Sequence, residues 1–248
     1  MIDILGLVGS PVGVRLLAPG AEAPVGATAL THHRYCQAVM EARRGAHVVL
    51  DAKGLSCPAA AAVFGFRPLP AQLASGKGLV GFGIVADPAV GRRIFEAMPK
   101  LEPGRVAILH LFPLDGAAHV PDIVILEDEI EKLMWVVLAN LHATGGERVH
   151  GATAVLQAVC ADSTIVPFME QRLNFGYGCY GCREATDIGP NETVVGFPSS
   201  LLAPIGEHLE FLNEKAIPAS RSKRALAALE RAHAHLALPA DPEHEKER

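Results

Sequence analysis

Short apolar, often β-branched runs alternate with helix-patterned segments along almost the whole chain, and no segment repeats another. That alternation limits the fold more than any motif does. Each run is too short to make a core alone, so strands and helices must bury one another's apolar faces. Pro11 to Leu17 alternates, with β-branched residues on one face, and reads as a strand. His47 to Asp51, Leu79 to Ala86, Val106 to Phe112, Asp122 to Leu126 and Thr193 to Phe197 read the same way. Helices are expected over Thr31 to Arg44 with Gly45 as cap, from Pro58 onward, from Pro88 to Met98, and over Glu127 to His142. Two more follow Ser199 and span Ala219 to Leu236. Gly151 to Ala161 is a weak helix or buried turn, and Arg172 to Gly178 is extended. The expected fold is α/β or α+β: a single domain over residues 1–238 with a mixed β-sheet flanked by helices. Residues 239–248 form a charged, flexible tail.

Half of the 248 residues are apolar, enough for a sizeable core. With 22 Lys and Arg against 27 Asp and Glu the formal charge is −5, which argues against the basic face of a nucleic-acid binder. The densest apolar stretch, Leu133 to Leu141, contains Asn140. A bilayer span needs about 20 apolar residues, so no membrane segment is expected. The start, MIDILGLVGS, carries Asp3 and no basic residue before Arg15, unlike a secretory leader. The expected location is therefore cytoplasmic. There the five cysteines, Cys36, Cys57, Cys160, Cys179 and Cys182, stay reduced, and their odd number disfavours a full disulfide set.

Nucleotide motifs fail. In Ser75-Gly76-Lys77-Gly78 the phosphate-loop positions that need Gly and Ser/Thr hold Ala71 and Gly78. Gly81, Gly83 and Ala86 fit a loose dinucleotide fingerprint, but the glycines lie inside an apolar run and Glu102 precedes a proline. A serine-hydrolase elbow is absent, and the eleven histidines are scattered.

Cys179-x-x-Cys182 is the one chelate-spaced pair, and it has three readings. A thioredoxin-like dithiol needs the pair at the first turn of a helix after a strand, and the glycines at 176, 178 and 181 suggest a loop instead. Zinc wants a second pair or nearby histidines. An iron–sulfur cluster takes thiolates from distant segments, and glycine-rich loops let backbone N–H groups approach its sulfides. Cys57, in Ser56-Cys57-Pro58, stands at a helix start, where partial positive charge favours a thiolate. Cys36 and Cys160 also fit as small buried apolar residues.

The same segments carry a resemblance. Cys36-Gln-Ala-Val with Ala42-Arg43 and Gly45, Ser56-Cys57-Pro58 with Phe64-Gly65-Phe66, and Asn174-Phe175 with Gly178-Cys179-Tyr180-Gly181-Cys182-Arg183 resemble domain-of-unknown-function family 169, first catalogued as an archaeal conserved region. SPVGVRLL and PLDGAAHVPDIVIL are similar too, so the likeness covers nearly the whole chain. The family name records no activity. The resemblance implies a soluble prokaryotic protein, often from anaerobes, whose cysteines act together. It also implies that the second cysteine of the pair is less regular than the first. The expected ligands are then Cys36, Cys57 and Cys179, with Cys182 or Cys160 as the fourth. Arg183 and Arg34 are expected to offset cluster charge. His33, at H-x-x-C spacing from Cys36, is expected as a ligand or proton donor, and Tyr177 and Tyr180 as apolar covers.

The leading expectation is a [4Fe–4S] protein serving electron transfer with a redox partner protein, or activation of a small-molecule ligand at an incompletely ligated iron. The alternatives are a zinc-stabilised binding or scaffold module without redox role, and a thiol enzyme using Cys57. The Ala-rich terminal helix offers a face to a second copy, so a homodimer is a further expectation.

Overall fold

Seven strands form one mixed sheet in the computed structural model, which describes residues 1–234. The tail expected at 239–248 lies outside the described residues. The strands are β1 (Val12–Leu17), β2 (Thr28–Ala29), β3 (Val48–Asp51), β4 (Ile108–Pro113), β5 (Ile123–Glu129), β6 (Asn174–Gly176) and β7 (Glu192–Pro198). Their order is β2-β3-β4-β1-β5-β7-β6, antiparallel throughout except for parallel β2–β3. The character is α+β, within the expected fold class.

Helices α1 (Ile2–Leu5), α2 (Tyr35–Arg43), α3 (Pro58–Val63), α4 (Ala71–Ala74), α5 (Lys77–Gly81), α6 (Pro88–Glu96) and α7 (Ile130–Ala143) come first. A π-helical segment, Ala158–Ile165, runs into α8 (Val166–Glu170), and α9 (Tyr180–Ala185) follows β6. A 3-10 turn, Ser199–Leu201, opens α10 (Leu202–Arg221), and α11 is Arg224–Ala234. The chain divides into two compact units, residues 1–209 and the residues from 210 onward. Among the described residues no helix is long and apolar enough to cross a membrane.

Successive strand residues point to opposite faces. On one face Val12, Val14, Leu109, Leu111, Ile123 and Ile125 meet α2, α3 and the π-helical segment in the main core. On the other, Arg15 pairs with His110 and Gly13 with Phe112 across β1–β4. Helix α7 packs against β5 and β7. Its start at Ile130, rather than at Glu127, follows from pairing, because β5 stays hydrogen-bonded to β7 out to Glu129↔Glu192.

Leu79 to Ala86 is not a strand. Lys77–Gly81 is helix α5, which packs on α6, and Gly76 at its start lies against Gly91 of α6 with no room for a Cβ on either. Leu79 is buried while Phe82 is 62% exposed, so the run has one apolar side, not the two that a central strand needs. Helix α2 also starts later than expected, at Tyr35. Residues before it are drawn to the 54–56 segment, where His33 N donates to Gly54 O at 3.0 Å and Ser56 N to His33 O at 2.9 Å.

Candidate functional site

The pairing of His33 with Leu55 sets the first turn of α2, carrying Cys36, near the start of α3, where Cys57 is the N-cap. Helix α9 hangs from that same turn. Arg34 Nη1 donates to Gly181 O at 2.9 Å and Gln37 Nε2 to Ala185 O at 3.1 Å. Cys179 is the N-cap of α9, and its Sγ accepts from Cys182 N at 3.2 Å. The two sulfurs are 2.9 Å apart, and the Cys36 thiol lies close enough to Cys182 to raise its pKa. Cys160, in the π-helical segment, feels the charges of Cys57, Cys179 and Cys182. All five thiols predicted from the sequence thus lie within contact or electrostatic reach of another. Cys36, Cys160 and Cys182 are buried, and Cys57 and Cys179 are half-buried.

Each resolved shift keeps a thiol protonated. Hydrogen bonding to Cys182 and burial push Cys179 well above the usual thiol range. Cys182 is eased down by its bond to Cys179, but the Cys36 thiol and burial carry it up to about 12. Burial raises Cys160 further. A metal that binds here must therefore displace protons. Among the described residues no group of three or more His, Cys, Asp or Glu is arranged to hold a metal ion. Sulfurs bound at about 2.3 Å around a tetrahedral metal stand about 3.8 Å apart, so the Cys179–Cys182 pair, at 2.9 Å, would have to open by about 1 Å to share one.

The other candidates fall into place around the thiols. Arg34 bridges α2 to the Cys179 loop and also reaches Glu184 Oε2 at 3.4 Å. Arg183 braces the loop from within, donating to the carbonyls of Tyr177, Gly189 and Glu192. His33 turns Nδ1 to Thr31 O at 2.7 Å. Tyr177 and Tyr180 are about half exposed, at 51% and 54%, so they stand out from the surface instead of covering the thiols.

Three features escaped sequence reasoning. The extended segment before Cys179 is strand β6, and α9 begins directly after Cys179, so the strand-then-helix order that a dithiol pair requires is present after all. The glycines suggested a loop, yet Asn174-Phe175 already signalled the strand. The second feature is the π-helical segment, all eight residues of which are buried. Val155 (φ 57°) and Gln157 (φ 58°) lead into it in the left-handed region, strained for a β-branched residue and a kind of strain that concentrates at functional sites. The third is a cavity of about 420 Å³ beside that segment, lined by Arg93, Ile94, Met98, Leu156, Ala161 and Asp162 among others. In its wall Thr153 donates to Asp162 Oδ2 at 2.6 Å. Burial raises the Asp162 carboxyl to about 7 against the opposing pull of that hydroxyl.

Behind the site, Arg43 of α2 bonds Glu192 at 2.7 Å and lies 4.0 Å from Glu127. Burial outweighs the arginine and raises the Glu127 carboxyl from 4.5 to about 8. The folded protein then keeps a proton that the unfolded chain has lost, so this group's contribution to stability fades as pH climbs from about 4.5 to 8. Urea titrations of Glu127→Gln across that range will show a flatter stability–pH profile than wild type. An unchanged slope would place the proton elsewhere.

The DUF169 family, described as uncharacterised ArCR, matches residues 1–208. The match ends one residue short of the boundary of the first compact unit. An uncharacterised protein of Methanocaldococcus jannaschii is 30% identical over 207 residues, covering 82% of this chain and 88% of that protein. No solved structure matches the chain.

Proposed function

The chain belongs to the DUF169 family, and from that premise we propose that its thiols hold a [4Fe–4S] cluster. The observation that carries the reading is the contact of Cys179 with Cys182 and the approach of Cys36 to Cys182, from two elements far apart in sequence. As a donor set these thiols fit the group: sulfur is the ligand such clusters take, and neighbouring sulfurs need only small shifts to spread around iron. Cys36, Cys57, Cys179 and Cys182 are the ligands, with Cys160 the alternative fourth. A bound cluster supplies one-electron transfer, or a Lewis-acidic iron where its ligation is incomplete.

The chain's own residues set the surroundings. Arg34 brings a fixed positive charge to the Cys179 loop, which offsets the anionic thiolates. At the start of α9 the Cys182 N–H points at the Cys179 sulfur. Burial of Cys36, Cys160 and Cys182 keeps water from the sulfurs. The partner is a redox protein, or a small molecule held in the cavity beside the π-helical segment. Protein purified without oxygen should contain iron and acid-labile sulfide in equal amounts and absorb broadly in the visible. Colourless, iron-free protein after reconstitution would sink the reading, and stoichiometric zinc would favour the scaffold alternative.

A second reading rests on β6 and α9. With a strand leading to Cys179 at the N-cap and Cys182 one turn in, the pair suits thiol–disulfide exchange. The two thiols would give two electrons and two protons to a disulfide substrate, which leaves as two thiols while Cys179 and Cys182 join. Equilibration of metal-free protein with glutathione redox buffers tests this. A reversible two-hydrogen mass loss confined to a peptide holding both residues supports it, and mixed products or none argue against it.

A further inference from the structure

Histidines that look scattered along the chain meet on the far face of β4. His110 is 0% exposed, and neither of its ring nitrogens has a hydrogen-bond partner. Its ring stacks on Phe112 at 4.7 Å between centroids, and His119 meets it edge-on at 5.1 Å. His47 lies 6.2 Å away. Across the sheet, Arg15 of β1 is its direct partner in register, and Arg15 makes no ion pair with any described residue. A buried polar ring normally finds a partner. His110 has none, while the neighbouring His119 and Arg15 are partly exposed and His47 is exposed.

The sign of the surroundings decides what such a site would take. Besides burial, the groups that depress His110 are the basic residues His119, Arg15 and His47, with no carboxylate among them. A metal cation would meet the Arg15 charge, and the described residues contain no three-ligand set for one. An anion would meet a guanidinium, which presents forked donors to an oxyanion, together with imidazole N–H groups. His119 also lines a second cavity of about 530 Å³, whose other walls include Leu114, Val120, Pro121, Ser199 and Leu202. The lining is apolar apart from the serine hydroxyls and His119, so a purely inorganic ion would leave most of it unfilled.

We propose that Arg15, His47, His110 and His119 bind the oxyanion head of a small organic acid, a phosphate monoester or a carboxylate, whose apolar body occupies the cavity beside His119, the His119 ring that now lies against buried His110 turning aside to admit the head. The site is independent of the thiols, being on the opposite face of the sheet. It asks of His110 only that a neutral ring donate its N–H, so the low basicity of the buried imidazole does not impede it.

Calorimetry on the full chain decides it, with phenyl phosphate, benzoate, inorganic phosphate and acetate as probes. Phenyl phosphate or benzoate should bind at least tenfold more tightly than the matching inorganic or acetate ion, because only the former fill the cavity. Arg15→Gln should weaken binding tenfold or more. His110→Phe should do the same while raising the unfolding temperature of the ligand-free protein, since it removes the buried ring nitrogens and keeps the ring. Should His110→Phe fail to fold, Arg15→Gln still gives the answer. Absence of millimolar binding by every probe, wild-type affinity in Arg15→Gln, or zinc binding with histidine resonance shifts in place of anion binding would each overturn the proposal.

Discussion

Cys179→Ser protein, reconstituted without oxygen, is expected to retain less than a tenth of the wild-type iron and sulfide, and Cys36→Ser to behave alike. A serine oxygen is a poor substitute for a thiolate on iron; the Cys179 sulfur touches that of Cys182, and the Cys36 thiol lies near enough to shift it. Cys182→Ser follows them for the same reason, since it is the thiol between the other two. Cys160→Ser keeps most of its metal. The Cys160 thiol donates to Gln157 O at 3.6 Å, so it is already engaged with the backbone of its own segment. Iron per folded protein, with far-UV circular dichroism as the measure of folding, is the readout. If Cys160→Ser loses iron and Cys182→Ser does not, the fourth ligand has been assigned to the wrong sulfur. If all four retain iron, the thiols are not its ligands.

Gly196→Ala destabilises the fold by about 3 kcal/mol or more, the upper part of the range for overpacking a rigid core. A Cβ on Gly196 would lie 1.8 Å from Ser163 O, 2.6 Å from Ser163 C and 2.9 Å from its Cα. All three atoms are main chain, so no side chain can swing aside. Strand β7 is held on both edges, by β5 and β6, and therefore the π-helical segment must move off the sheet. Urea unfolding gives the size of the loss. Because that segment also carries Cys160 and walls the cavity beside it, proteolysis within residues 150–170 should accelerate as well. Wild-type stability would mean that the segment sits on β7 less rigidly than this contact requires.

How far each feature could be foreseen depends on how local its cause is. Strands β1, β3, β4, β5 and β7 were legible because alternation of apolar residues is fixed by the pleat itself. The position of Cys57 at a helix start was legible too, since proline after it supplies a local signal. The segment at Leu79 misled, because an apolar run does not reveal whether its neighbour is a sheet or another helix, and here α6 decides. The π-helical segment left no periodic trace: its geometry depends on the close approach of β7 at Gly196, which is distant in sequence. The histidine group was invisible for a related reason. His47, His110 and His119 come from different parts of the chain, and only strand register brings Arg15 and His110 together. For the thiols, sequence and resemblance pointed to the five cysteines, but nothing local in the sequence announced that α9 docks on α2 and so brings the Cys179–Cys182 pair to the turn that carries Cys36.

The ends of the sheet bear on how this protein behaves when concentrated. Its two outermost strands, β2 and β6, are two and three residues long, so the rows of unpaired backbone donors and acceptors at either border are brief. Growth of fibrils begins when another chain zips onto such a border, and longer templates recruit more effectively. For a sequence that is half apolar, such brief borders leave few places where that zipping can start.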